Sequence, residues 1–136
     1  MEWYLKVIRD NYANFQGRAR RKEYWMFSLF HIIILFCLAI IGGLFVDSYS
    51  NLGSVTLILV FIYILATIIP SLAVTVRRLH DINKSGWWYF VSWIPYIGGI
   101  WLLVLTVGEG TIGTNQYGPD PKGDYDEINQ IGQSIE

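Results

Sequence analysis

Three stretches of this chain carry no formal charge: Met26–Val46, Ser48–Val76 and Ser85–Gly108. A segment that crosses the hydrocarbon core of a bilayer needs about 20 predominantly apolar residues at 1.5 Å rise each. Each stretch reaches that length, and none is long enough to cross twice. Core helices of soluble proteins seldom run so far without a polar face. Charged residues make up 15% of the 136 and hydrophobic residues 53%, against about 25% charged in an ordinary soluble domain. The chain therefore reads as an all-α membrane protein. We expect three transmembrane helices, over about 23–46, 55–79 and 85–107, preceded by an interfacial amphipathic helix.

Pro70 and Pro95 fall inside the second and third expected helices. Each removes a backbone hydrogen bond and should kink its helix. In lipid the freed carbonyl needs another donor. At Pro70 that carbonyl belongs to Ala66, and Thr67 or Ser71 could supply one. The first apolar stretch is too long for a signal-peptide core, and "GGLFVDSYS" offers no A-x-A-like cleavage site, so it reads as retained. The single cysteine, Cys37, allows no internal disulfide and no cysteine cluster. It reads as a small packing residue.

Three regions follow. Residues 1–22 form the interfacial helix and a basic flank, 23–108 the three-helix transmembrane domain, and 109–136 a Gly/Pro-rich and then acidic flexible tail. In the first region Leu5, Ile8, Tyr12 and Phe15 share one helical face. That face suits a helix lying along the membrane or one packed on other parts of the protein. Gly17 permits a turn before the first crossing.

The basic residues alternate along the chain. Lys6, Arg9, Arg18, Arg20, Arg21 and Lys22 precede the first crossing, and no basic residue lies in the first loop. Arg77, Arg78 and Lys84 lie in the second loop, and Lys122 is alone in the tail. Basic loops are retained in the cytoplasm. This places the N-terminus inside and, with three crossings, the C-terminus outside. A re-entrant bend at Pro95–Gly99 would instead return the tail to the inside.

Insertion alone accounts for cations at those positions. It does not account for Glu23 and Asp81 among them. Glu23 can pair with an arginine of the other basic knot, and Asp81 lies i+4 from Arg77 and i+3 from Arg78. Arg18, Arg20, Arg21, Arg77, Arg78 and Lys84 are then candidates to hold a lipid phosphate or a partner protein, since guanidinium grips such groups in bidentate fashion. Tyr63, Thr67, Ser71 and Thr75 recur every four residues, a polar stripe that His31 of the first helix could meet. A solute or proton path is one reading of it, and helix packing is the other.

Several classes find no support. His31 and His80 lack a second ligand at helical spacing, so no metal site is expected. No nucleophile elbow is present, so no catalytic residue is assigned. Asp120, Asp124, Asp126 and Glu127 do not follow calcium-loop spacing. No cofactor and no nucleic-acid partner is expected.

The segments "FQGRARRKEYWMF", "IPSLAVTVRRLHDINKSGWWYF", "IPYIGGIWLLVL" and "GTIGTNQYGPDPKG", in this order, resemble the small bacterial inner-membrane family catalogued as domain of unknown function 805. The resemblance covers about residues 3–123. It implies a bacterial multi-helix membrane protein and supplies no reaction, substrate or cofactor. It also implies roles beyond insertion for the RRLHD-x-x-x-SGWW element and the NQYGPDP tail. The functional expectation is a non-enzymatic inner-membrane protein that binds anionic lipid or a partner, as a homo-oligomer or with another membrane protein. The alternative is a small transporter or channel subunit.

Overall fold

The computed structural model describes residues 1–45 and 51–123. A short N-terminal helix, α1, runs over Glu2–Leu5 and continues as a π-helical turn over Lys6–Asp10. Two long helices follow, α2 over Arg21–Phe45 and α3 over Leu52–Asp81. A 3-10 segment, Gly86–Trp93, and a ten-residue helix, α4, Gly98–Val107, complete the fold. Among the described residues there is no strand, only an isolated bridge between Asn115 and Gly118.

The pair α2 and α3 forms an antiparallel hairpin. Gly42, near the end of α2, lies against Thr56 near the start of α3, where a Cβ would stand 3.2 Å from the Thr56 methyl. At the opposite end Ala19 N–H donates to the Arg77 carbonyl at 3.0 Å. Both helices are long and apolar enough to cross a membrane. Their outer faces are strongly exposed: Phe36 is 65% exposed, Leu44 71%, Leu57 66% and Phe61 64%. Water would penalise such surface, and lipid does not, so burial is not demanded of it. The buried residues gather instead at the end that holds the basic knots, around Val7, Ala19, Val74 and Leu79.

The third expected helix is not formed as one continuous element. The 85–107 stretch folds as two short helical pieces with a turn between them. Tyr96 adopts φ of 66°, Ile97 N–H bonds the Pro95 carbonyl at 2.8 Å, and Gly98 N–H bonds the Ile94 carbonyl at 2.9 Å. Gly98 has no room for a side chain, because a Cβ would enter the backbone at Val91 and Ser92. Pro95 thus stands in a turn and does not kink a helix. Eight residues of 3-10 helix rise about 16 Å and ten of α-helix about 15 Å, each half of what a crossing needs.

The two pieces double back along α3. Gly86 sits against Val76, Tyr89, Phe90 and Trp93 reach the level of Ile64 and Thr67, and Thr106 returns to Arg78. The residues after α4 therefore lie at the same end as the basic knots.

Pro70 is accommodated within α3, which runs through it as one element. The carbonyl it leaves free is satisfied from outside the helix: Tyr12 Oη donates to Ala66 O at 2.7 Å. The N-terminal helix ends at Asp10, short of residue 16. Its packed residues are Tyr4, Val7 and Ile8, while Leu5, Tyr12 and Phe15 remain exposed. The acidic part of the tail, expected to be flexible, lies outside the described residues. The Gly/Pro-rich part is packed.

Candidate functional site

The last turns of α3 carry Arg77, Arg78, Leu79, His80 and Asp81 in continuous helix. Consecutive residues on a helix point 100° apart, so these side chains diverge and meet different neighbours. Arg77 turns toward α2, where its Nη1 donates to Glu23 Oε1 at 2.7 Å. The i+4 pair of Arg77 with Asp81 does not form. Asp81 instead lies between Arg78 Nη1, one turn back on its own helix, and Arg18 Nε at 3.0 Å.

Arg18 and Arg78 are spent inside the protein. Arg78, fully buried, donates to the carbonyls of Thr106 at 3.0 Å, of Ala19 and of Gly108. Arg18 donates to the carbonyls of Thr111 and Gly113. Guanidinium offers five donors in a fixed fork, and here carbonyls and one carboxylate absorb them. These two arginines clasp the end of α4 and the tail onto the tip of α3.

The tail adds its own contacts. Thr111 N–H donates to the Asp81 carbonyl at 2.7 Å, and Asn115 Nδ2 to the His80 carbonyl at 2.9 Å. Tyr117 stacks on the His80 ring, centroids 3.9 Å apart and planes within 3°. His80 Nδ1 donates to the Gly17 carbonyl at 3.1 Å, which fixes its tautomer. Gly113 and Gly118 take φ of 76° and 133°, values that favour glycine. Asp120 accepts from the Gly113 and Lys122 amides, both at 3.0 Å. Burial acts to raise its pKa, but those two amides and the Arg18 charge prevail, and it lies below the ordinary carboxylate value. These contacts give the NQYGPDP segment a physical role that spacing alone does not reveal.

The remaining candidates have distinct surroundings. Arg21 is exposed and reaches Glu109 at 3.4 Å and the Val107 carbonyl at 3.2 Å. Lys84 is exposed over the Trp88 ring, 5.2 Å from its centroid. Glu23, almost fully buried, holds Arg77 and lies 3.7 Å from Lys6 Nζ. Beside them a cleft of about 360 Å³ is lined by Trp3, Lys6, Asn14, Arg20, Glu23 and Arg77, among others. Arg20 Nε and Arg77 Nε and Nη2 are closed to solvent and have no hydrogen-bond partner. Sequence reasoning named both arginines but not Lys6, which helical geometry brings from ten or more residues away.

His31 does meet the stripe of α3. Its Nδ1 lies 2.9 Å from Tyr63 Oη, which in turn lies 3.0 Å from Tyr4 Oη. Ser71 and His31 line clefts of about 430 and 340 Å³ on the two sides of this contact. Thr67 and Thr75 turn inward to their own helix, donating to the carbonyls of Tyr63 at 2.8 Å and Ser71 at 2.7 Å. The stripe thus meets α2 at His31 and Tyr63, while Ser71 and Thr75 line the larger cleft together with Tyr24 and Thr106.

Residues 12–119 match the family described as Protein of unknown function (DUF805). The chain belongs to that family. The DUF805 match takes in both basic knots, the doubled-back segment and the docked tail. Inner membrane protein YhaI of Escherichia coli (strain K12) is 47% identical over 122 residues, covering 90% of this chain and 97% of its own length. Inner membrane protein YhaH of the same strain is 45% identical, covering 90% and 98%. Uncharacterized protein YiiR of that strain is 28% identical over 142 residues, covering 84% and 90%. No solved structure matches significantly. The inner-membrane names of these DUF805 relatives and the two membrane-length helices together support a membrane protein.

Proposed function

We propose that the protein is a non-enzymatic component of the bacterial inner membrane whose basic end faces the cytoplasm and binds anionic lipid. In this reading α2 and α3 cross the bilayer, and the 86–107 segment is a re-entrant hairpin entered from the cytoplasmic side. The observation that carries it is the surplus of exposed cations at one end. Lys6, Arg9, Arg21, Lys22 and Lys84 are exposed there, while Arg18 and Arg78 are buried and share the Asp81 carboxylate. The exposed acids that oppose them among the described residues of that end are Glu2, Asp10 and Glu109. Trp87, strongly exposed beside Val76 and His80 at the basic end, suits the headgroup region.

Juxtamembrane cations attract anionic leaflets by about 1 kcal/mol each. Replacing Arg21 and Lys22 together by Gln should therefore weaken anionic-lipid retention roughly thirtyfold. Native mass spectrometry of the full chain, released from mixed micelles of phosphatidylglycerol and phosphatidylethanolamine, measures this. Equal retention of the two lipids by the unaltered protein defeats the reading.

A further inference from the structure

We propose that the cleft beside α1 is a phosphate-group site, formed by Arg20 and Arg77 with Lys6 as its outer cation. The proposal rests on the lipid-binding reading and sharpens it from a charged face to one place and one chemistry.

Three observations carry it. First, Arg77 is only 3% exposed, yet of its three guanidinium nitrogens only Nη1 has a partner, Glu23. Nε and Nη2 share one edge of the guanidinium. That edge is the fork that grips two oxygens of a phosphate. Leaving buried donors unpaired costs about 1–3 kcal/mol each, and native proteins rarely tolerate it without a reason. Second, Arg20 lines the same cleft with its Nε also unpaired and closed to solvent. Third, the charges are unbalanced. Lys6, Arg18, Arg20 and Arg77 line the cleft with one carboxylate, Glu23, and Asp81 beyond it is shared between Arg18 and Arg78, so positive charge is in excess and Arg20 has no carboxylate partner.

Surplus positive charge beside an open guanidinium fork suits a phosphate diester or monoester. Lys6 is the movable member, half-exposed, held loosely at 3.7 Å from Glu23 and resting over the Trp3 ring at 5.3 Å. Its displacement by an entering anion opens the Arg77 fork. A lipid headgroup and a free phosphate offer the same oxygens, and the cleft volume admits either.

The experiment uses the full-length protein in a neutral detergent. Inorganic phosphate, phosphatidylglycerol and oleate are titrated separately, with calorimetry for the first and native mass spectrometry for the lipids. Arg20→Gln removes an unpaired cation and breaks no existing hydrogen bond. Arg77→Lys keeps the Glu23 pair but deletes the fork. Arg21→Gln is the control on the outer surface. Phosphate or phosphatidylglycerol should bind, about tenfold more weakly in each cleft variant and at most about fivefold more weakly in Arg21→Gln, the loss of one surface cation. Binding of inorganic phosphate with that profile assigns the site to a free anion, and binding of the lipid alone assigns it to a headgroup. Equal weakening by Arg20→Gln and Arg21→Gln overturns the cleft while leaving the charged face standing. Oleate bound as tightly as phosphatidylglycerol overturns the phosphate chemistry. No binding of either phosphate species overturns both the site and the reading beneath it. If Arg77→Lys fails to fold, Arg20→Gln against Arg21→Gln decides alone.

Discussion

Arg18 and Asp81, 63 residues apart, are joined by a buried ion pair in which Nε donates to Oδ1 at 3.0 Å. Asp81 is shared with Arg78, so one carboxylate holds two guanidinium groups. Through their other donors those groups hold the end of α4 and the tail. A buried pair contributes little net free energy when complete, but breaking it leaves a charge unmatched at a cost of about 3–5 kcal/mol. Asp81→Asn should therefore lower the thermal transition in detergent sharply, on the order of 3 kcal/mol. Glu109→Gln, which removes only the exposed partner of Arg21, should cost under about 0.5 kcal/mol. Differential scanning fluorimetry of the two variants compares them, and similar shifts would contradict the clasp.

Gly110 passes so close to Asp81 that an added Cβ would enter the carboxylate. Gly110→Ala should push the tail off without touching either arginine. With Cys37→Ser as background, a cysteine at exposed Gln116 reports the change as faster labelling or greater spin-label mobility. An unaltered mobility would mean that the tail is held elsewhere.

The doubled-back 86–107 segment has a topological consequence. Cysteines placed one at a time at Lys22 and Gln116, both exposed, should react with an impermeant reagent from the same side of sealed vesicles. Reaction from opposite sides would restore a third crossing.

Asp120 gives the docked tail a pH dependence. Its pKa in the folded protein lies below the ordinary 3.8, so the carboxylate favours the docked state. That contribution is complete above pH 3.8 and is lost as pH falls through the lower folded value. Through Asp120, spin-label mobility at position 116 should rise below about pH 4. Asp120→Asn should be mobile at every pH, and a midpoint above the ordinary value would reverse the sign argued here.

Tyr12 closes the gap that Pro70 opens in α3. Tyr12→Phe leaves the Ala66 carbonyl without its donor and should cost about 1 kcal/mol. In a Pro70→Ala background the backbone amide of residue 70 can bond Ala66 itself, so the same change should cost less. A double-mutant cycle of thermal stabilities measures the difference.

Much of this architecture can be read without coordinates because its signals are local. The helices α2 and α3 follow from uninterrupted apolar length, and the Glu23 partnership across the two knots follows from charge at the mouths of two neighbouring helices. Other features rest on contacts between distant residues. The composition of 85–107 is as apolar as a crossing, and only the left-handed Tyr96 and the close approach of Gly98 to Val91 show that it reverses. The hydroxyl for Ala66 comes from Tyr12, across 54 residues, whereas local spacing pointed to Thr67 or Ser71. Among the headgroup candidates, Arg18 and Arg78 cannot be told from Arg20 and Arg77 by sequence position. Their difference lies in which carbonyls and carboxylates surround them.

Sequence alone determined that this is a helical membrane protein with its cations gathered at two points, because transfer of apolar and charged groups depends on residue type and run length. Tertiary structure decided how those points meet, which arginines are consumed by the tail and which keep open donors. Hydrogen-bond satisfaction is a property of neighbours in space, and the chain order does not contain it.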